Sequence, residues 1–172
     1  MQQHTHARRR ALQRVGPRGA HVASTIAAAD EPLLRSRPLL VAGKYARMAS
    51  APYEYFRGSV PVYRSDARAG TGSISVTRFG LPLPLVPSHG DAHPENFGVL
   101  RAADGSLALE PNDLDAADRA PYLWDVRRLV TGLALAASLA NEDDPAAREV
   151  TRSARRAVAR AAAEAYRDAI LR

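Results

Sequence analysis

Residues 88–97, Ser-His-Gly-Asp-Ala-His-Pro-Glu-Asn-Phe, are where residue type and spacing most directly suggest chemistry. His89, Asp91, Pro94 and Asn96 form the skeleton His-x-Asp-x-x-Pro-x-Asn. An Asp and an Asn five positions apart in one tight loop can divide two jobs. The Asp accepts or orients a hydroxyl proton, and the Asn carbonyl helps to hold a magnesium ion. Sixteen residues after Asn96 comes Asn112-Asp113-Leu114-Asp115, which offers a carboxylate for the same ion. The chemistry this would serve is phosphoryl transfer, which is mostly positioning and charge neutralisation. Magnesium prefers hard oxygen donors and keeps several waters, so one carboxylate and one amide carbonyl suffice from the protein. Asn96 and Asp113 are therefore the candidate metal ligands. Asp115 is a further one, because an extended segment puts it on the same face as Asp113. Asp91 and His89 are the candidate catalytic residues, Asp91 on the acceptor hydroxyl and His89 chiefly as a hydrogen-bonding brace of the loop.

These segments can act together only if the chain folds them onto one another. Phe97 to Leu100 and Leu107 to Leu109 flank Ala103-Asp104-Gly105, whose Asp-Gly pair is a strong hairpin signal. Such a hairpin brings Asn96 and Asp113 to the same end of two paired strands. Leu83, Leu85 and Val86 lead into the loop, and Pro82, Pro84 and Pro87 make that approach an irregular or edge strand rather than a central one. Further on, Asp125 to Ala140 is patterned as an apolar helix, with Trp124 and Asp125 fixing its start or partnering the loop. Asp144-Pro145 begins an amphipathic last helix, 145–171, whose apolar side runs through Val150, Ala154, Ala157, Val158, Ala161 and Ala165. That side is a candidate homodimer surface.

Upstream, residues 1–30 carry Arg8-Arg9-Arg10 with little hydrophobic periodicity and read as a flexible basic arm; residues 31–172 form the domain. The second half of 32–48 is expected to be helical and to stop at Ala51-Pro52. An aromatic segment, 53–58, follows, and Val60, Val62 and Tyr63 are expected to continue it as a short strand. Residues 68–73 read as a loop and 74–79 as a strand.

Composition narrows the classes. A chain of 172 residues, 46% hydrophobic and 24% charged, is long enough to bury a core. The absence of cysteine excludes disulfides, thiolate nucleophiles and cysteine-based zinc sites. A His89/His93 zinc pair on a helix is disfavoured by Gly90 and Pro94. No apolar run approaches the roughly 20 residues that span a bilayer, so a cytoplasmic protein without membrane contact is expected. The net charge of +6 comes almost wholly from arginine and tracks with abundant alanine, as biased composition would give. No nucleic-acid recognition motif accompanies it, and nucleic acid is not expected as a partner.

Residues 89–96 resemble the catalytic loop of the protein-kinase-like superfamily, especially its aminoglycoside-phosphotransferase-like and choline-kinase-like branch. There a Gly-Asp-x-His-x-x-Asn loop is followed by an Asp-led metal segment and then by an aromatic-Asp helix start. Here the last element is Trp124-Asp125, twelve residues after Asp113. The chain is more closely similar to the bacterial family called domain of unknown function 2252. That likeness runs over residues 47–52, Tyr55-Phe56-Arg57-Gly58, Gly90-Asp91-Ala92-His93, Asn96-Phe97-Gly98, Asn112-Asp113-Leu114-Asp115 and 121–129.

The resemblance implies an α+β, protein-kinase-like fold in which the catalytic-loop hairpin precedes a helical C-terminal part. It implies ATP and magnesium as cofactors and a small-molecule acceptor as substrate. Family members are longer, which makes this chain a shortened or partial member with an incomplete nucleotide-binding lobe. Such a lobe needs a cation for the phosphates. Lys44, the only lysine, and Arg57, just before Gly58, are the candidates, although Lys44 falls on a segment patterned as helix. Gly70-Thr71-Gly72 is an ordinary loop rather than a phosphate loop, and Arg127 and Arg128 belong to a solvated or salt-bridged face. Two functions follow: an ATP- and magnesium-dependent phosphotransferase, or a catalytically incomplete kinase-like module that binds nucleotide, metal or partner without turnover.

Overall fold

The computed structural model describes residues 16–69, 83–139 and 150–171. Five helices come first: α1 (Pro17–Ala29), α2 (Glu31–Ser36), α3 (Pro38–Met48), α4 (Pro52–Gly58) and α5 (Val60–Arg68). Each carries proline at its first or second position. There the missing N–H has no intrahelical bond to lose, and the fixed φ is already helical. A residue before proline also avoids the helical region. Arg37 and Ala51 accordingly lie at φ −141° and −155° and separate α3 and α4 from what precedes them.

The same rule corrects one expectation. Val60, Val62 and Tyr63 do not extend as a strand but open α5. Pro61 could not donate to a β-ladder, yet it suits a first helical turn, and Val62 and Asp66 then fall four apart on one buried side. Of the flexible arm expected over residues 1–30, residues 1–15 lie outside the described residues and Pro17–Ala29 form α1. The loop and strand expected over 70–79 also lie outside them.

Ile26, Met48 and Val62 make the apolar centre of this helical layer, with Val22 and Tyr45 packed against it. Two ion pairs fasten its edges. Arg18 on α1 holds both oxygens of the buried Asp66 on α5, at 2.6 and 2.5 Å. That guanidinium keeps the Asp66 carboxyl below the usual carboxylate range, against the opposing effect of burial. Lys44 on α3 holds both oxygens of Asp30, between α1 and α2, at 2.7 and 2.9 Å.

The strands form two antiparallel pairs, one nested inside the other. The outer pair is β1 (Leu85–Ser88) with β4 (Asp118–Pro121), registered from Leu85 opposite Pro121 to Ser88 opposite Asp118. The inner pair is β2 (Phe97–Arg101) with β3 (Leu107–Pro111), registered from Phe97 opposite Pro111 to Arg101 opposite Leu107. The inner turn is the expected one: Gly105 takes φ 85° and donates to Ala102, while the Asp104 carboxylate accepts the Ser106 amide. Nesting has a consequence for the site. Residues 89–96 leave the outer pair for the inner one and residues 112–117 return, so the two motif segments run side by side.

Helix α6 (Tyr122–Leu139) follows β4 directly and packs on β1 and α4. Helix α7 (Val150–Ile170) lies along α6, with Tyr166 stacked on Tyr122 at 6.2 Å. Ala154, Val158 and Ala162 are half-buried on the inner side of α7, whereas Ala157, Ala161 and Ala165 of the expected stripe are exposed. The described residues thus form an α+β fold of seven helices and two small sheets. None of those helices is long and apolar enough to cross a membrane.

Candidate functional site

The loop after β1 is held by its own backbone. The His89 and Gly90 amides both donate to the Asp125 carboxylate, at 2.7 and 3.0 Å. Asp125 sits in the first turn of α6 and is the loop partner that its place after Trp124 suggested. Gly90 has φ 81°, and a Cβ there would run into the Ala116 carbonyl and the Arg64 guanidinium. Only glycine meets both demands. Arg64, from α5, donates to that same Ala116 carbonyl, so the returning segment is tied to the helical layer at this point.

Past Gly90 the loop turns inward. Asp91 accepts from Arg128 Nε at 2.7 Å and Nη2 at 2.6 Å, both on Oδ1. Arg128 is 1% exposed, lies over the Phe56 ring at 4.3 Å and donates to the Phe56 carbonyl at 3.1 Å. It belongs to a buried pair rather than to a solvated face. The other carboxylate oxygen, Oδ2, is 3.8 Å from His93 Nε2. His93 is itself buried, and its Nδ1 has no hydrogen-bond partner. Burial pushes the His93 imidazole below its ordinary pKa, with the Asp91 charge opposing.

Asn96, also buried, closes the loop by donating its side-chain amide to the Asp91 carbonyl at 3.0 Å. Its backbone carbonyl accepts the Asn112 amide at 2.9 Å, which joins the two connections. His89 makes a second tie. Its ring stacks on Phe97, its Nε2 lies 2.9 Å from the Asn112 carbonyl, and its Nδ1 accepts the Asp91 amide at 3.3 Å. These contacts suit one tautomer, with the proton on Nε2. His89 thus braces the loop, as its place in the motif suggests.

Asp113 follows at φ 53°, the left-handed region that Asp tolerates better than most residues. It is exposed and opens on a cavity of about 620 Å³ between α3, α4 and the loop. Lys44, Arg47, Glu54, Arg57, Asp91 and Asp113 give this cavity its charge, and Leu39, Leu40 and Met48 give it an apolar side. Four of the residues singled out from sequence, Lys44, Arg57, Asp91 and Asp113, therefore share one cavity. His89 and Asn96 stand in the adjoining loop rather than in its lining, and Asp115 is exposed outside it.

The two predicted cations are already engaged. Lys44 is held by Asp30, and Arg57 Nη1 lies 3.0 Å from Glu95 and 3.9 Å from Glu54, with its Nε buried and unpartnered. Sequence reasoning gave no role to Arg47, Glu54 or His93 and did not pair Arg128 with Asp91. A signal for Arg47 existed: it stands three residues after Lys44, on the same helical face.

The donor set fits a hard cation in kind. Asn96 has its side-chain nitrogen on the Asp91 carbonyl. Its side-chain oxygen is therefore an amide donor of the kind a metal takes, set in the buried loop beside the cavity, and Asp113 is a carboxylate of that kind in the lining. Among the described residues no group of three or more His, Asp or Glu side chains could cage a metal. Magnesium, which retains several waters, does not require such a cage. The cations and the apolar side of the cavity likewise match a nucleotide in kind.

No curated protein and no solved structure matches the chain. The family described as "Uncharacterized protein conserved in bacteria (DUF2252)" matches residues 35–172, which include every charged residue of the cavity lining. The chain belongs to that family.

Proposed function

We propose that the cavity is the active site of a kinase-like phosphotransferase that uses ATP and magnesium and acts on a small-molecule acceptor in the cytoplasm. The observation that carries this reading is the shared cavity, whose lining includes Asp91 and Asp113 together with three cations. Asp91 orients the acceptor hydroxyl through Oδ2, the oxygen that Arg128 leaves free, and takes up its proton. Asp113 and the Asn96 carbonyl hold the metal, while Asp115, outside the cavity, is left at most a minor role. Arg57 faces the nucleotide phosphates, Lys44 stays on Asp30 and braces the cavity wall, and the leucines of α3 receive the base. Bound magnesium supplies neutralisation of phosphate charge.

One observation favours a second reading, a kinase-like module that binds without turnover. Asp91 Oδ1 is engaged by a buried guanidinium, a structural role that requires no catalysis.

Calorimetric titration with ATP, with and without magnesium, tests both readings. Magnesium-dependent binding is expected, weakened in Asp113→Asn and retained in Asp91→Asn, which loses turnover. The amide introduced by Asp91→Asn keeps an oxygen for Arg128, so the variant is expected to fold. Full and equal binding by both variants in magnesium sinks the assignment of roles. Magnesium-dependent binding with no phosphoryl transfer to any hydroxylated or amino-bearing acceptor supports the module.

A further inference from the structure

We infer that Arg47 is the phosphate contact of the cavity, and that the ligand class it takes with Asp113 is a metal-chelated polyphosphate. That the polyphosphate is a nucleotide rests on the phosphotransferase reading; the anion site rests on the geometry of the cavity itself.

Three cations line the cavity, and two are tied to protein carboxylates. Lys44 Nζ is gripped by both oxygens of Asp30, a residue only 5% exposed. Drawing Lys44 toward a ligand would strand a buried carboxylate, which is costly. Arg57 is drawn to Glu95 and, more weakly, to Glu54. Arg47 differs from both. Its guanidinium makes no hydrogen bond or ion pair among the described residues, and it is exposed at the cavity wall. A guanidinium presents five donors in a planar fork that matches an oxyanion, which a single ammonium does not.

The acidic side sorts in the same way. Asp91 is engaged by Arg128 and Glu54 faces Arg57, whereas the Asp113 carboxylate makes no hydrogen bond or ion pair among the described residues. The cavity therefore offers one unengaged cation and one unengaged carboxylate. A simple anion would satisfy Arg47 and be repelled by Asp113; a simple cation would do the reverse. A phosphate chain carrying its own divalent ion satisfies both. The unpartnered Nε of Arg57 is a further donor for an oxyanion that displaces Glu95.

The test uses inorganic tripolyphosphate with magnesium, beside ATP with magnesium, titrated calorimetrically into the full chain. Arg47→Gln, at an exposed position, is expected to fold normally and to weaken both ligands by about tenfold or more. Lys44→Gln, made together with Asp30→Asn so that no carboxylate is stranded, is expected to change either affinity by less than about threefold. Unaltered tripolyphosphate binding by Arg47→Gln overturns the inference, as does an equal loss in the Lys44 variant. Arg47-dependent binding of tripolyphosphate with no added affinity for ATP keeps the anion site and removes the nucleotide reading. If the wild-type chain binds neither ligand, both fall.

Discussion

Residues 89–96 and residues 112–117 join the same two strand pairs, yet their side chains are held in opposite ways. On the outgoing connection, His93 and Asn96 are buried and Asp91 is fixed by the buried Arg128. The His89 and Gly90 amides are capped there by Asp125. On the return, Asn112, Asp113 and Asp115 are all exposed. That segment is placed by backbone ties, from Asn112 to Asn96 and His89 and from Ala116 to Arg64. A proton-handling group gains from a rigid, partly dehydrated setting, whereas a ligand for a hydrated cation needs access to water. Under the proposed roles Asp91 and Asp113 follow that division, and Asn96, a buried residue of the outgoing connection, is the exception.

The contrast breaks most visibly at Arg128. Arg128→Met removes the buried guanidinium and leaves the Asp91 carboxylate and the Phe56 and Arg57 carbonyls without their donor. Removing one member of a buried pair costs about 3–5 kcal/mol. Asp91 keeps 20% of its side chain in water, so the lower end, about 3 kcal/mol, is expected from urea denaturation. A loss under about 1 kcal/mol would place the pair with exposed ones and erase the distinction between the two connections.

Asp125 offers a smaller and more local test. Its two oxygens accept two backbone amides, and Asn in its place offers one acceptor and one clashing NH₂. Asp125→Asn is expected to cost about 2 kcal/mol. Hydrogen exchange should quicken at the His89 and Gly90 amides before it quickens in the β2–β3 hairpin. Uniform quickening would mean that the loop and hairpin open as one unit.

Much of this geometry was legible from particular residues. Asp104-Gly105 between two apolar runs predicts the inner hairpin, and the prolines before the loop predict an irregular or edge strand, of which β1 is the second. The proximity of Asn96 to Asp113 follows from that hairpin alone. What was not legible shares a cause: a side chain's type is local, but its partner is not. Nothing in the pattern around Lys44 announces Asp30, fourteen residues upstream, on its ammonium. Arg128 reads as part of a solvated or salt-bridged face; the salt bridge is there, but the turn of α6 buries it against Asp91, 37 positions away. Val60 to Tyr63 failed for another reason. A short β-branched and aromatic run fits strand or helix equally, and Pro61 decides it.

The smallest expected effect sharpens the comparison through pH. His93 faces Asp91, Arg57, Glu95 and Arg128. Its burial, the dominant influence, lowers its pKa in the folded chain from the ordinary 6.5. As pH falls below that ordinary value, the unfolded chain takes up a proton that the folded chain refuses. Stability from this group is therefore complete above pH 6.5, declines as pH drops toward the folded pKa, and levels off beneath it. Urea midpoints of the wild type and His93→Gln, compared on both sides of this window, isolate the effect, because every other histidine and carboxylate is common to both. The gap between the two should narrow on acidification. A constant gap would show His93 titrating as it does in the unfolded chain, and the outgoing connection would then be as open to water as the return.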